Sequence, residues 1–133
     1  MKYLLDTNVC VRYLNGRSEP IRKRLLQEKP EEITLCSIVK AELFYGSLKS
    51  ANPVRNLEKQ LQFVSRFDSL PFDDKAAESY GQIRAQLEKD GTPIGPNDLM
   101  IAAIAFTHGL VLVTHNSNEF GRVKDLVIED WEV

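Results

Sequence analysis

What most constrains this chain is a rhythm of short, largely apolar runs without polar alternation, each separated from the next by residues recurring at helical spacing. The runs are Lys2 to Leu5, Ile33 to Cys36 and Leu110 to Val113, with briefer ones at Ser69 to Phe72 and Leu126 to Ile128. A strand that shows no alternation is apolar on both faces, so it belongs in a sheet covered on both sides. Strands alternating with helices then predict an α/β chain with a mostly parallel sheet of four to five strands and helices on both faces.

Punctuation between the runs places the helices. Asp6-Thr7-Asn8 favours a helix start and is followed by Val9, Cys10, Tyr13 and Leu14 at helical period, broken by Asn15-Gly16. Ser18, Glu19 and Pro20 open a second helix through Ile21, Leu25 and Leu26, closed by Pro30. Ser37 is expected to cap a helix from Ile38 to about Ser50, with Ala41, Phe44, Tyr45 and Leu48 as its apolar positions. Asn52-Pro53 starts the next, carrying Leu57, Leu61, Val64 and Phe67 and forming a hairpin with its predecessor. Asp73 or Asp74 caps a helix bearing Ala77, Tyr80, Ile83, Arg84 and Leu87 up to Gly91. An alanine-rich helix from Leu99 to Phe106 stops at Gly109.

The 133 residues are 43% hydrophobic and 27% charged, far from the disordered corner and within one domain's size, so residues 1–133 are expected to form a single domain. Cys10 and Cys36 sit in apolar stretches without a CxxC pair and read as core residues in a reducing compartment. With no signal peptide and no membrane-length apolar run, the expected location is the cytoplasm, with no membrane partner. The net charge of -2 announces no nucleic-acid binder, although Arg12, Arg17, Arg22, Lys23 and Arg24 crowd the first quarter.

Three acids decide the chemistry. Ligands of open α/β sheets bind outside the carboxyl ends of strands. Asp6 stands at such an end, although alone it is equally a helix cap. Glu42 lies just over one turn into the helix after the second apolar run, with Gly46 directly beside it on the same face. A mid-helix glycine costs about 1 kcal/mol relative to alanine, so it marks either a need for room there or close packing against another helix. Asp98 falls in the first turn of the alanine-rich helix, whose apolar character holds it close to the strand ends. A fourth polar cluster, "THNSNEF", leaves the sheet after Val113 with Thr114, Asn116, Asn118 and Glu119. Carboxylates gathered at one sheet edge repel one another unless a divalent cation neutralises them, and hard oxygen donors without Cys or paired His favour magnesium or manganese over zinc.

"YLLDTNV", "SIVKAELFYG", "PIGPNDLMIAAIA" and "LVLVTHNSNEF", in that order and spacing, resemble the PIN-domain ribonucleases, most closely the VapC toxins of bacterial toxin–antitoxin pairs. The likeness runs nearly end to end. It implies a PIN-like three-layer α/β sandwich and a Mg2+-dependent endoribonuclease that inhibits translation until a VapB-type antitoxin blocks its site. It also implies a homodimer that meets DNA only through the antitoxin, and structured RNA as substrate, notably the anticodon arm of initiator tRNA.

The resemblance maps the family's acids onto Asp6, Glu42 and Asp98. Asp6 and Asp98 are expected to ligate the ion and Glu42 to ligate or to orient water, giving 5′-phosphate and 3′-hydroxyl products. Asn116 occupies the usual fourth-acid position; its amide oxygen can ligate a metal or a bound water but carries no charge, which leaves the number of metals open, and Glu119 reads either as its substitute or, more plainly, as a surface residue. Asn8, Thr114 and Asn116 are assigned to support, Arg84 and Arg12 to RNA contact. Thr7 or Asn8 is expected to cap the first helix and leave Asp6 free. The rivals are a receiver-like domain, which needs adjacent acids after its first strand, a Mg2+-dependent phosphatase, which needs an acid where Asn8 stands, and a non-catalytic binding module.

Overall fold

The computed structural model describes residues 1–133. Five strands form one sheet: β1 (Tyr3–Leu5), β2 (Ile33–Cys36), β3 (Asp68–Leu70), β4 (Val111–Val113) and β5 (Ile128–Glu129). Their order is β3-β2-β1-β4-β5 and every neighbouring pair is parallel. Every residue of β1 and β2 is buried, as unalternating apolar strands require when both sheet faces are covered. The edge strands are shorter of apolar side chains and more exposed. The third apolar run is trimmed to Val111–Val113, the Ser69–Phe72 run shifts to Asp68–Leu70, and the last run shifts to Ile128–Glu129.

The helices are α1 (Thr7–Leu14), α2 (Glu19–Gln27), α3 (Ser37–Leu48), α4 (Pro53–Val64), α5 (Asp74–Lys89), α6 (Pro96–Thr107) and the single turn α7 (Ser117–Phe120). Pro30 opens a brief 3-10 turn, Pro30–Glu32, rather than closing α2, which ends at Gln27. Ser18 caps α2 by accepting from the Ile21 amide at 3.3 Å, and Asp73 caps α5 by accepting from Ala76 at 3.0 Å. Gly109 takes φ 63° just beyond α6, a left-handed geometry that ends the helix at little cost only for glycine.

Two helix faces differ from the sequence reading. In α3 the buried side chains are Val39, Leu43 and Ser47, while Tyr45 and Leu48 are exposed. The helix is apolar nearly all round, so periodicity did not single out the buried stripe. Ser37 lies inside α3 and its N-cap is Cys36, with no side-chain cap. In α4, Phe63 and Val64 are buried and Leu61 is exposed. Cys10 and Cys36 are both free and fully buried. No helix is long and apolar enough to cross a membrane.

The chain runs outward from β1 through β2 to β3, then returns to add β4 and β5 on the other side of β1. The order therefore reverses between β1 and β4. Such a switch point opens a crevice at the carboxyl ends of the two strands.

Candidate active site

Leu5 of β1 lies opposite Val113 of β4, so the next residue on each strand, Asp6 and Thr114, borders that crevice. The Asp6 amide donates to the Val113 carbonyl at 2.9 Å and fixes where the chain leaves the sheet. Asp6 is only 5% exposed. Its Oδ1 accepts from the Thr7 amide at 2.8 Å and its Oδ2 from the Thr114 hydroxyl at 2.9 Å. Asp6 is itself the N-cap of α1, which corrects the expectation that Thr7 or Asn8 would take that role. Capping holds the carboxylate at the crevice instead of diverting it.

The other acids come from three separate elements. Glu42, half-buried on α3, accepts from the Thr7 hydroxyl at 2.5 Å and from the Asn97 side-chain amide at 3.3 Å. These two bonds tie α3 to the start of α1 and the start of α6. Asp98, half-buried in the first turn of α6, faces Glu119 of α7 within hydrogen-bonding reach. With both groups ionised the pair has no donor, so that contact is a hydrogen bond only when Asp98 carries a proton. Burial first, then Glu119 and the charges of Asp6 and Glu42, push Asp98 up to about 7. Burial also raises Asp6 above the usual carboxylate range, against the lowering effect of Thr114 and the Thr7 amide.

Glu119 thus faces the constellation, as a substitute for the fourth acid would, and is not the surface residue of the plainer reading. Asn116 caps α7, its Oδ1 accepting from the Glu119 amide at 3.4 Å while its Nδ2 donates to Glu119 Oε2 at 3.1 Å. Asn116 therefore aims a neighbouring acid rather than offering its own oxygen, and the fourth carboxylate arrives three residues later. The clue was present in "NSNE": a cap residue followed three positions on by Glu is a helix-start pattern that turns the acid back to the strand end. Thr114 is buried and also accepts from the Asn116 amide at 3.0 Å, so one hydroxyl orients both Asp6 and the turn that carries Glu119.

None of the molecule's ion pairs involves Asp6, Glu42, Asp98 or Glu119. Four carboxyls from four elements converge with no internal cation, and burial together with the other three pushes Asp98 up to about 7. No three of them bring a ligand oxygen within 4.8 Å of one another. This spread leaves room for a divalent ion that takes one or two carboxylates directly and keeps water in its remaining positions.

The remaining assignments divide. Asn8 is exposed in the first turn of α1 and lines an open cavity with Arg12, His115 and Asn116. Arg12 is ion-paired with Glu132, which also meets His115 Nδ1 at 3.2 Å, and Asp130 meets the same nitrogen at 2.9 Å. Arg12 thus borders the site but is already partnered. Arg84 is held by Glu88 at 3.1 Å and by the Tyr80 hydroxyl at 3.2 Å on α5, and it lines a separate depression without any of the four acids.

The PIN domain profile matches residues 3–126 of the sequence. The chain belongs to the PIN-domain family. Within it the chain is similar to VapC ribonucleases: it is 44% identical over 131 residues to the tRNA(fMet)-specific endonuclease VapC of Salmonella typhimurium, covering 98% of each. It is 41% identical over 133 residues to ribonuclease VapC2 of Rickettsia felis, covering 99% of each. Among solved structures, the DNA-bound VapBC complex from Salmonella typhimurium superposes with a TM-score of 0.93, at 44% identity and 98% coverage of both chains. The Rickettsia felis VapBC2 complex bound to a promoter DNA fragment gives 0.91 at 40% identity, covering 98% of this chain and 99% of that one. The chain is accordingly a PIN-domain nuclease of the VapC group, and the five-stranded parallel sheet is its PIN fold.

Proposed function

We propose that this PIN domain is a Mg2+-dependent endoribonuclease in which Asp6 and Asp98 hold the ion, Glu42 orients water and Glu119 supplies the fourth carboxylate. The observation that carries the reading is the convergence of these four acids at the sheet's switch point with no basic partner, Asp98 being pushed up to about 7 by burial first and then by its acidic neighbours. The acids form one edge of the site, and their summed negative charge would repel a phosphodiester by itself. A bound divalent ion supplies Lewis acidity to a phosphate oxygen and lowers the pKa of its water.

The chain's own groups do the positioning. Thr114 favours the ionised form of Asp6 and directs it at the crevice, Thr7 and Asn97 fix both oxygens of Glu42, and Asn116 directs Glu119 toward Asp98. To hold a cation, Asp98 would have to give up the proton that its surroundings favour. His115 has its Nδ1 between two carboxylates, so no pair of free histidines serves attack by the 2′-hydroxyl. Products then carry 5′-phosphate and 3′-hydroxyl ends.

The relatives' names make the anticodon arm of initiator tRNA the first substrate to test, and the VapBC structures make a VapB-type antitoxin, itself the DNA-binding partner, the expected inhibitor. A homodimer fits the exposed apolar residues Tyr45, Leu48, Val54 and Leu61 on α3 and α4. The decisive assay incubates that RNA with the protein in Mg2+ and in EDTA. Cleavage in Mg2+, abolished by EDTA and by Asp6→Ala, is expected. EDTA-resistant cleavage, or full activity in Asp6→Ala, rejects the mechanism.

A further inference from the structure

A parallel register brings a second set of charged groups to the rim of the crevice. Val113 of β4 lies opposite Glu129 of β5, and the Thr114 amide donates to the Glu129 carbonyl at 2.9 Å, so the residues after both strands leave the sheet at the same edge as Asp6. His115 follows β4, while Asp130, Trp131 and Glu132 follow β5. Trp131 pins that segment: it is buried, its ring meets Tyr3 edge-on at 5.2 Å, and its Nε1 donates to Glu129 Oε1 at 3.0 Å. The acids on either side of it reach two basic groups. Asp130 Oδ2 lies 2.9 Å from His115 Nδ1, and the Glu132 carboxylate bridges, with Oε1 paired to Arg12 Nε and Oε2 3.2 Å from His115 Nδ1. Arg12, His115 and Glu132 line an open cavity of about 530 Å3 together with Asn8 and Asn116, and Asn116 is the residue that directs Glu119, so the cavity adjoins the acid site.

The cavity therefore already holds an anion, the chain's own carboxylate. His115, Asp130 and Glu132 lie close enough to share a cation, but Arg12 already supplies the positive charge there, so the cluster is built around anions. A guanidinium and a ring nitrogen that meet the two oxygens of one carboxylate can meet two oxygens of a phosphate in the same way, since arginine matches both groups. Exposure is uneven across the cluster. The side chains of Arg12 and His115 are 45% and 63% exposed and remain reachable, whereas those of Glu132 and Asp130 are 10% and 20% exposed. An ion pair with so exposed a member is weak enough to exchange partners. We propose that Arg12 and His115 form a subsite for a backbone phosphate of the RNA substrate flanking the scissile one, and that Glu132 occupies this subsite in the free protein and is displaced when RNA binds. The proposal rests on the nuclease reading above, which makes RNA the ligand of the crevice. It gives a polyanion a grip beside four acids that repel it, because contacts between basic side chains and phosphates supply most of the sequence-independent affinity for nucleic acid.

The test measures binding and cleavage separately on the anticodon stem-loop of initiator tRNA, for wild type, Glu132→Gln, Arg12→Gln and the double variant. Binding is followed by fluorescence anisotropy in EDTA and cleavage in Mg2+. Glu132→Gln is expected to tighten binding by about fivefold, the scale of one surface ion pair released, and to lower KM more than it changes kcat. Arg12→Gln should weaken binding and reduce the slope of log K against log salt by about 0.7, one phosphate contact on a single strand. In the Arg12→Gln background the gain from Glu132→Gln should vanish. A gain that persists there reflects only the lost negative charge and overturns the proposal, as does unchanged or weaker binding in Glu132→Gln. Should Glu132→Gln fail to fold, Arg12→Gln and His115→Gln, both at exposed positions, decide the matter: affinity equal to wild type in both, or no RNA binding by any of the proteins, overturns it. If wild type binds RNA but fails to cleave it in Mg2+, the nuclease reading falls, and the binding measurements in EDTA still decide the subsite.

Discussion

Thr114→Val removes one hydroxyl and almost no volume, and it tests how the crevice favours the charged form of a buried aspartate. Thr114 is 1% exposed, donates to Asp6 Oδ2 at 2.9 Å and accepts from the Asn116 amide at 3.0 Å. A hydrogen bond to a charged group contributes roughly 1.5–3 kcal/mol, so the variant should lose about 2 kcal/mol near pH 8. With a urea slope of about 2 kcal/mol/M, the midpoint drops by about 1 M. The pH dependence gives the sharper test. Burial already raises Asp6 above the ordinary carboxylate value, and Thr114 opposes that rise. Without the hydroxyl the folded-state value climbs further. A carboxyl whose pKa is higher folded than unfolded loses stability as pH rises above the unfolded value. The deficit of Thr114→Val should therefore be larger at pH 8 than at pH 5, where more of Asp6 is protonated. The measurement is urea unfolding of both metal-free proteins at the two pH values. An equal deficit at both, or a more stable variant, would show that the Thr114 bond does not act on the Asp6 charge.

Other outcomes follow from the same geometry. Asp98 holds its proton up to about 7, so the folded metal-free protein binds more protons than the unfolded chain between roughly pH 4 and 7, and calorimetric stability should rise as pH falls from 8 to 6. Mg2+ must displace that proton, so added Mg2+ should raise the melting temperature clearly at pH 8 and little at pH 6. Glu119→Gln removes a charge facing Asp98; it should stabilise the metal-free protein at pH 8 and weaken Mg2+ binding in the same titration. Gly46→Ala adds a methyl that meets nothing within 4 Å, so helix propensity alone should raise stability by about 1 kcal/mol, seen as a melting point about 4 °C higher.

Much of this arrangement could be read from residue order because it lives in local rules. Unalternating runs such as Ile33–Cys36 determined a covered parallel sheet, and the glycine beyond α6 marked a helix end that the backbone obeys at φ 63°. Asp6, Glu42 and Asp98 were legible as strand-exit and helix-start acids. The misreadings share one physical cause, namely that local pattern does not say which way a side chain turns. In α3, apolar residues surround the helix, so only packing against β2 and α4 chose Leu43 over Tyr45. Asp6 was weighed as either a cap or a site acid, yet two oxygens let it be both. Glu119 looked like a surface charge because four residues carry no period, and only the Asn116 cap turns it toward Asp98. The unpartnered polar atoms of Ser47 and Gln60 had no signature in sequence, since their burial depends on how the helices pack.

The central claim is that the converging acids bind the divalent ion on which cleavage depends. Titrating Mg2+ into the protein at pH 8 by calorimetry, for wild type and for Asp98→Asn, tests it most directly. Saturable binding by the wild type with release of protons, lost in Asp98→Asn while the fold is retained, is the predicted result; undiminished binding in Asp98→Asn, or none in the wild type, would contradict the account.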